Sequence, residues 1–84
     1  MSNVKVASVF KFFAKPSVAA LEVEEEIKLG DKLLFKGATT DFKMTVTSMQ
    51  IEGENVEAVK KGQQVGIKTL ERVRPGDIVF KISD

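Results

Sequence analysis

From Val4 to Phe13 the chain alternates Val4, Val6, Ser8, Phe10 and Phe12 with Lys5, Ala7, Val9, Lys11 and Phe13, the period-2 spacing of a half-buried strand. Ala14-Lys15-Pro16-Ser17 breaks the pattern, because proline donates no ladder hydrogen bond and holds the residue before it extended. Val18 to Leu29 fits two patterns. Ser17 as a cap, Gly30 as a stop and Ala20, Val23 and Ile27 at helical spacing suit a helix, whereas a strand points Ala19, Leu21 and Val23 inward. Gly30-Asp31 is a turn pair leading into a short apolar strand at 32–36, and 37–41 is a loop. Phe42, Met44 and Val46 then alternate with Lys43, Thr45 and Thr47, and the strand continues to Ile51 with a change of face that suggests a bulge. Glu52-Gly53-Glu54 marks a hairpin turn. Asn55 to Lys61 has the cap and stop of at most one helical turn, and 65–70 and 78–82 complete about six strands. Turn signals every 8–12 residues or so are those of a small sandwich or barrel.

A weak echo runs through the turns. Leu29-Gly30-Asp31-Lys32, Lys61-Gly62-Gln63-Gln64 and Pro75-Gly76-Asp77-Ile78 each place a glycine and then a hydrogen-bonding side chain before a strand. Glycine supplies positive φ and the side chain bonds turn amides, so one strand-entry turn used repeatedly explains the echo.

Composition agrees with an all-β domain: eleven valines, five isoleucines, five threonines and six phenylalanines lie along the whole chain. Eighty-four residues make a single domain, 1–84, in which about 60% of the unfolded chain's surface is buried and little remains for a deep cleft. The absence of histidine and cysteine removes the usual general base, nucleophile pairs, imidazole or thiolate metal ligands and disulfides. No apolar run approaches a membrane span, and the opening residues have no signal-peptide core, so a cytoplasmic location is expected. The net charge of +1 argues against broad nucleic-acid binding by phosphate neutralisation and confines any RNA contact to a local patch.

No glycine precedes a lysine, and no G-x-G-x-x-G occurs, so nucleotide binding is not expected. Glu22, Glu24, Glu25 and Glu26 lie near Lys28 and Lys32 and suit a solvated, ion-paired face better than a metal site. Neither catalysis nor a cofactor is expected. Lys5, Lys11 and Lys15 interleave with Phe10, Phe12 and Phe13, and Arg72 and Arg74 flank Val73. Lysine with exposed phenylalanine is one way to grip single-stranded RNA, by phosphate contact and stacking, but the phenylalanines of a small barrel more often belong to the core and alternating lysines are the ordinary solvent face of a strand.

Val46-Thr47-Ser48-Met49-Gln50-Ile51, Val56, Ala58, Lys61-Gly62, Val65-Gly66-Ile67 and Arg74-Pro75-Gly76-Asp77-Ile78-Val79, with the earlier Leu29-Gly30-Asp31-Lys32-Leu33 and Lys36-Gly37, resemble the second, β-barrel domain of elongation factor Tu and related translational GTPases. Phe12-Phe13, Lys15, Val18-Ala19, Glu22 and the loop from Gly37 to Phe42 are similar to the barrel at the C-terminal end of collagenase-like peptidase family proteins. The resemblance covers about residues 4–82 and implies a strand at 18–23 and a sheet closed into a barrel of translation-factor type. Lys68-Thr69-Leu70-Glu71 departs from the Leu-Arg-Gly run usual in elongation factors, and both catalytic partners of these barrels are absent from the sequence. The expectation is a free-standing, non-catalytic barrel that binds RNA, as tRNA or ribosome, through Thr39, Thr40, Phe42, Arg72 and Arg74. The alternative is a protein-interaction module, the detached accessory barrel of a split peptidase-like or RNA-modifying enzyme.

Overall fold

The structure, a computed structural model, describes residues 2–83. Ten strands follow one another: β1 Ser2–Phe13, β2 Val18–Val23, β3 Ile27–Lys28, β4 Lys32–Lys36, β5 Asp41–Thr45, β6 Met49–Ile51, β7 Glu54–Val56, β8 Ala58–Val59, β9 Gln64–Lys68 and β10 Ile78–Ser83. Eight of them form one antiparallel sheet in the order β5-β4-β10-β1-β2-β9-β6-β7, and β3 and β8 pair separately. The all-β expectation holds, with more and shorter strands than the six expected. Among the described residues there is no helix, so none is long and apolar enough to cross a membrane.

Two expectations are corrected. The segment 55–61 makes no helical turn, because Glu54–Val56 pairs with β6 and Ala58–Val59 pairs with β3, satisfying its backbone across strands instead. The sheet is also not a hydrogen-bonded closed barrel, since β5 and β7 are its two ends. It nevertheless curls. β5 and β6 stand six places apart in the sheet, about 29 Å if it were flat, whereas Val46-Thr47-Ser48 between them reaches about 14 Å. The ends are therefore drawn together, and Phe42 and Met44 of β5 share one core with Met49 of β6 and Leu21, Phe35, Ile67 and Val79. What the alternation from Phe42 to Ile51 suggests is one bulged strand; the change of face at Val46–Ser48 is the crossing from one sheet end to the other.

The echo in the turns has a structural counterpart. In Lys28–Asp31, Lys60–Gln63 and Arg74–Asp77 the third residue is a glycine, at φ 92°, 90° and 98°. The N–H of the fourth residue donates to the carbonyl of the first at 3.1, 3.1 and 3.0 Å. The side chain of the fourth, Asp31, Gln63 or Asp77, accepts from the N–H of the first at 2.8, 2.7 and 2.8 Å. Each glycine N–H also donates to the carbonyl of a buried valine elsewhere, Val46, Val23 or Val9, at 2.9, 2.9 and 2.8 Å. Each of those valines donates back to the carbonyl of Asp31, Gln63 or Asp77 at 2.9 Å. One turn thus pins three separate parts of the curled sheet.

β1 departs from simple alternation. Its register shifts between Lys5 and Ala7 against β10 and between Val9 and Lys11 against β2. Val6, Ala7 and Val9 are all buried, while Val4 and Phe10 are exposed. β2 behaves as the strand alternative requires, with Ala19, Leu21 and Val23 inside.

Candidate functional site

The five contact residues expected from sequence fall at one end of the fold. Gly37 packs so tightly on Asp77 that a Cβ there would meet its Oδ1 at 1.9 Å, which puts the 37–40 loop against the Arg74–Asp77 turn. The loop is closed by the Gly37 N–H donating to the Thr40 carbonyl at 2.8 Å. Thr39, Arg72 and Arg74 are exposed there, whereas Thr40 and Phe42 are buried, at 4% and 9% exposure. Phe42 stacks on Phe35, directly across from it in β4, with centroids 5.0 Å apart. It packs the core at this end; Thr39 and the two arginines are what the end presents to solvent. Leu70, a few residues before Arg72, is 77% exposed and lines a cleft of about 500 Å³ with Met44, Thr45, Thr47, Lys68 and Thr69. This cleft lies between β5 and the end of β9.

A second surface lies on the outer face of the sheet. Directly paired residues share a face, so the register gives its rows: Phe13, Val18 and Lys68; then Lys11, Ala20, Gly66, Gln50 and Asn55; then Ser8, Glu22 and Gln64. Phe10 is the extra residue of the β1 bulge and also stands outside. Phe10, Phe13, Ala20, Gly66, Gln50 and Gln64 line a groove of about 390 Å³. The Lys11 Nζ sits 5.1 Å from the centre of the Phe13 ring. Phe12, in contrast, packs on the core. The interleaved lysines and phenylalanines of β1 therefore divide, one ring inward and two outward. Sequence alternation alone does not reveal this, because the bulge shifts the phase midway.

Among the described residues no three Asp or Glu side chains converge to hold a metal, and every buried side-chain polar atom has a partner. The acidic run is tied into ion pairs and backbone bonds: Lys5 Nζ to Glu24 Oε2 at 3.1 Å, and Lys81 Nζ donating to the Glu26 carbonyl at 2.7 Å. Both surfaces offer binding groups, apolar or cationic.

No family model matches the chain. It is 39% identical over 83 residues, 98% of its length, to an uncharacterized protease of Methanocaldococcus jannaschii. It is 32% identical over 81 residues, 94% of its length, to a collagenase of Porphyromonas gingivalis. The chain spans about a fifth of the length of these curated relatives, 20% of each. The solved C-terminal domain of a Geobacillus thermoleovorans protein named as a U32 peptidase superposes with a TM-score of 0.89 at 18% identity, covering 95% of this chain and 93% of that one. Its selenomethionine variant gives 0.86, covering 89% and 95%. These likenesses lie on the collagenase-like peptidase side of the resemblance seen in the sequence.

Proposed function

We propose that this chain is an accessory binding domain that works with a peptidase-type catalytic unit and contributes no catalytic group itself. The carrying observation is the match of nearly the whole chain to one fifth of relatives named as protease and collagenase. The surface supports a docking role, because Leu70 exposes its side chain two and four positions before the exposed Arg72 and Arg74, and apolar and arginine side chains are groups on which interfaces are built. Thr39 borders the same end through the contact between Gly37 and Asp77.

The test uses the Methanocaldococcus relative with its matching fifth removed. This chain titrated into that protein in a calorimeter is expected to bind, and Leu70→Asp is expected to weaken binding about tenfold or more. No heat of binding from the wild-type chain at concentrations up to about a millimolar would overturn the docking proposal.

A second function, RNA binding, is favoured by a different observation, the two exposed phenylalanine rings among lysines on the outer face.

A further inference from the structure

We propose that the outer face of β1, β2, β9 and β6 is a binding site for single-stranded nucleic acid, with bases stacked on Phe10 and Phe13 and phosphates held by Lys11, Lys15 and Lys68.

The rings come first. Phe10 is 45% and Phe13 43% exposed, in a domain small enough that every apolar side chain is wanted inside. Phe10 is outside because a bulge ejects it, and bulges re-aim side chains. A sheet face carrying exposed aromatics is a recurrent platform for unstacked bases, since every base offers a π face.

The floor between the rings and β6 is almost bare. Ala20 and Gly66 lie opposite each other, and a Cβ on Gly66 would already meet Val18 Cγ1 at 3.2 Å. A flat ring lies on such a strip where a bulky side chain would not. Gln50 Nε2 donates to Asn55 Oδ1 at 3.0 Å on the far side, placing amide donors and acceptors within the same row for base edges.

Charge selects the occupant. Lys11 lies over the Phe13 ring, Lys68 shares the row of Phe13, and Lys15 stands in the turn joining β1 to β2. None of the three joins an ion pair among the described residues, where Lys5, Lys28, Lys36 and Lys81 do. The acids of the face, Glu22 and Glu52, stand at the opposite rim, and Glu22 already accepts from Gln64 Nε2 at 3.1 Å. The cationic side is thus the end at the β1–β2 turn, where an extended polyanion with planar rings fits both features at once. A patch of three lysines is also what a chain of net charge +1 has room for.

Fluorescence anisotropy with fluorescein-labelled oligo(U) and oligo(dT) of about 12 nucleotides, over a salt series, tests the site. Wild-type protein is expected to bind, with log K falling against log salt at a slope of about −2, three phosphates at about 0.7 each. Phe10→Ala and Phe13→Ala, exposed and therefore harmless to folding by circular dichroism, are each expected to weaken binding at least about fivefold. Lys11→Glu with Lys68→Glu leaves the rings in place and is expected to flatten the slope to below about 1 in magnitude. A preference for oligo(U) identifies RNA as the ligand, and equal affinity identifies single strands of either kind. No binding at low salt, or binding lost in Arg72→Glu with Arg74→Glu but unchanged in the two phenylalanine variants, overturns the proposal. So does a partner protein retained by the wild-type but not the phenylalanine variants in the absence of oligonucleotide binding. The two sites share Lys68, but Phe10 and Phe13 do not line the Leu70 cleft and Leu70 does not line the groove of the rings, so the phenylalanine variants and Leu70→Asp test the two proposals separately.

Discussion

Asp77 shows how much one buried carboxylate can organise. It is 5% exposed, its Oδ2 accepts from the Arg74 N–H at 2.8 Å, and its Oδ1 lies over Gly37. The related positions in the other two turns, Asp31 and Gln63, accept the same bond at 2.8 and 2.7 Å but are half-buried and exposed. Leaving a donor unsatisfied costs more where water cannot replace the partner. Urea unfolding is therefore expected to rank the alanine variants Asp77, Asp31, Gln63 from most to least destabilised, with Asp77→Ala costing about 1–3 kcal/mol. An equal loss at all three would show that burial is not what distinguishes them. Gly37→Ala is expected to cost a similar amount through its clash with the carboxylate. Most of that cost should vanish in an Asp77→Ala background, and a double-mutant cycle measures the coupling. Phe35, fully buried against Phe42, belongs to the larger class of core truncations at about 3–5 kcal/mol on replacement by alanine.

At the scale of elements the clearest device is the β6–β7 hairpin. Ile51 pairs with Glu54 across two residues, and both of those have positive φ, Glu52 at 51° and Gly53 at 82°. This is the turn whose twist suits a hairpin, and a glutamate in its first position is strained where asparagine is at ease. Glu52→Asn is expected to raise stability by roughly 0.5–1 kcal/mol, seen as a higher denaturation midpoint with an unchanged m-value. Ser17, at φ 56°, is not equivalent, because its Oγ donates to the Thr69 carbonyl at 2.9 Å and ties the β1–β2 turn to the end of β9. The hairpin turn at Glu52-Gly53 is readable from local spacing, whereas 18–29 fits a helix as well as a strand and only the family resemblance implies β2. The course of β1 is not readable either, because apolar residues occupy both of its faces and a bulge leaves no mark in such a pattern. The same limit hid the site: alternation cannot say that Phe12 turns in while Phe10 and Phe13 turn out. Thr40 falls in the expected loop and Phe42 opens the strand after it, both offered as partner contacts, and the packing of Gly37 on Asp77 and of Phe42 on Phe35 accompanies their burial instead.

For the molecule as a whole, the decisive relation is between the first and last strands. β10 lies between β4 and β1, so the strand latest in sequence completes the middle of the sheet. A chain ending at Asp77 would leave the β4–β5 hairpin with no strand joining it to β1 and is expected to show no cooperative unfolding transition. Ser2 pairs with Ser83, which brings the two ends of the described chain side by side. A short linker across them, with the chain reopened between Glu52 and Gly53, turns β10 and β1 into a local hairpin and sacrifices only an exposed turn. Their pairing otherwise closes a loop of nearly the whole sequence, the kind of non-local contact that slows two-state folding. The permutant is thus expected to fold to the same sheet but to refold faster in stopped flow, by about tenfold, with the change falling in the folding limb rather than the unfolding limb. An unchanged folding rate would mean that β10 docks only after the barrier. In that case the three glycine turns pinned to Val9, Val23 and Val46, and not the β1–β10 pairing, would set the transition state.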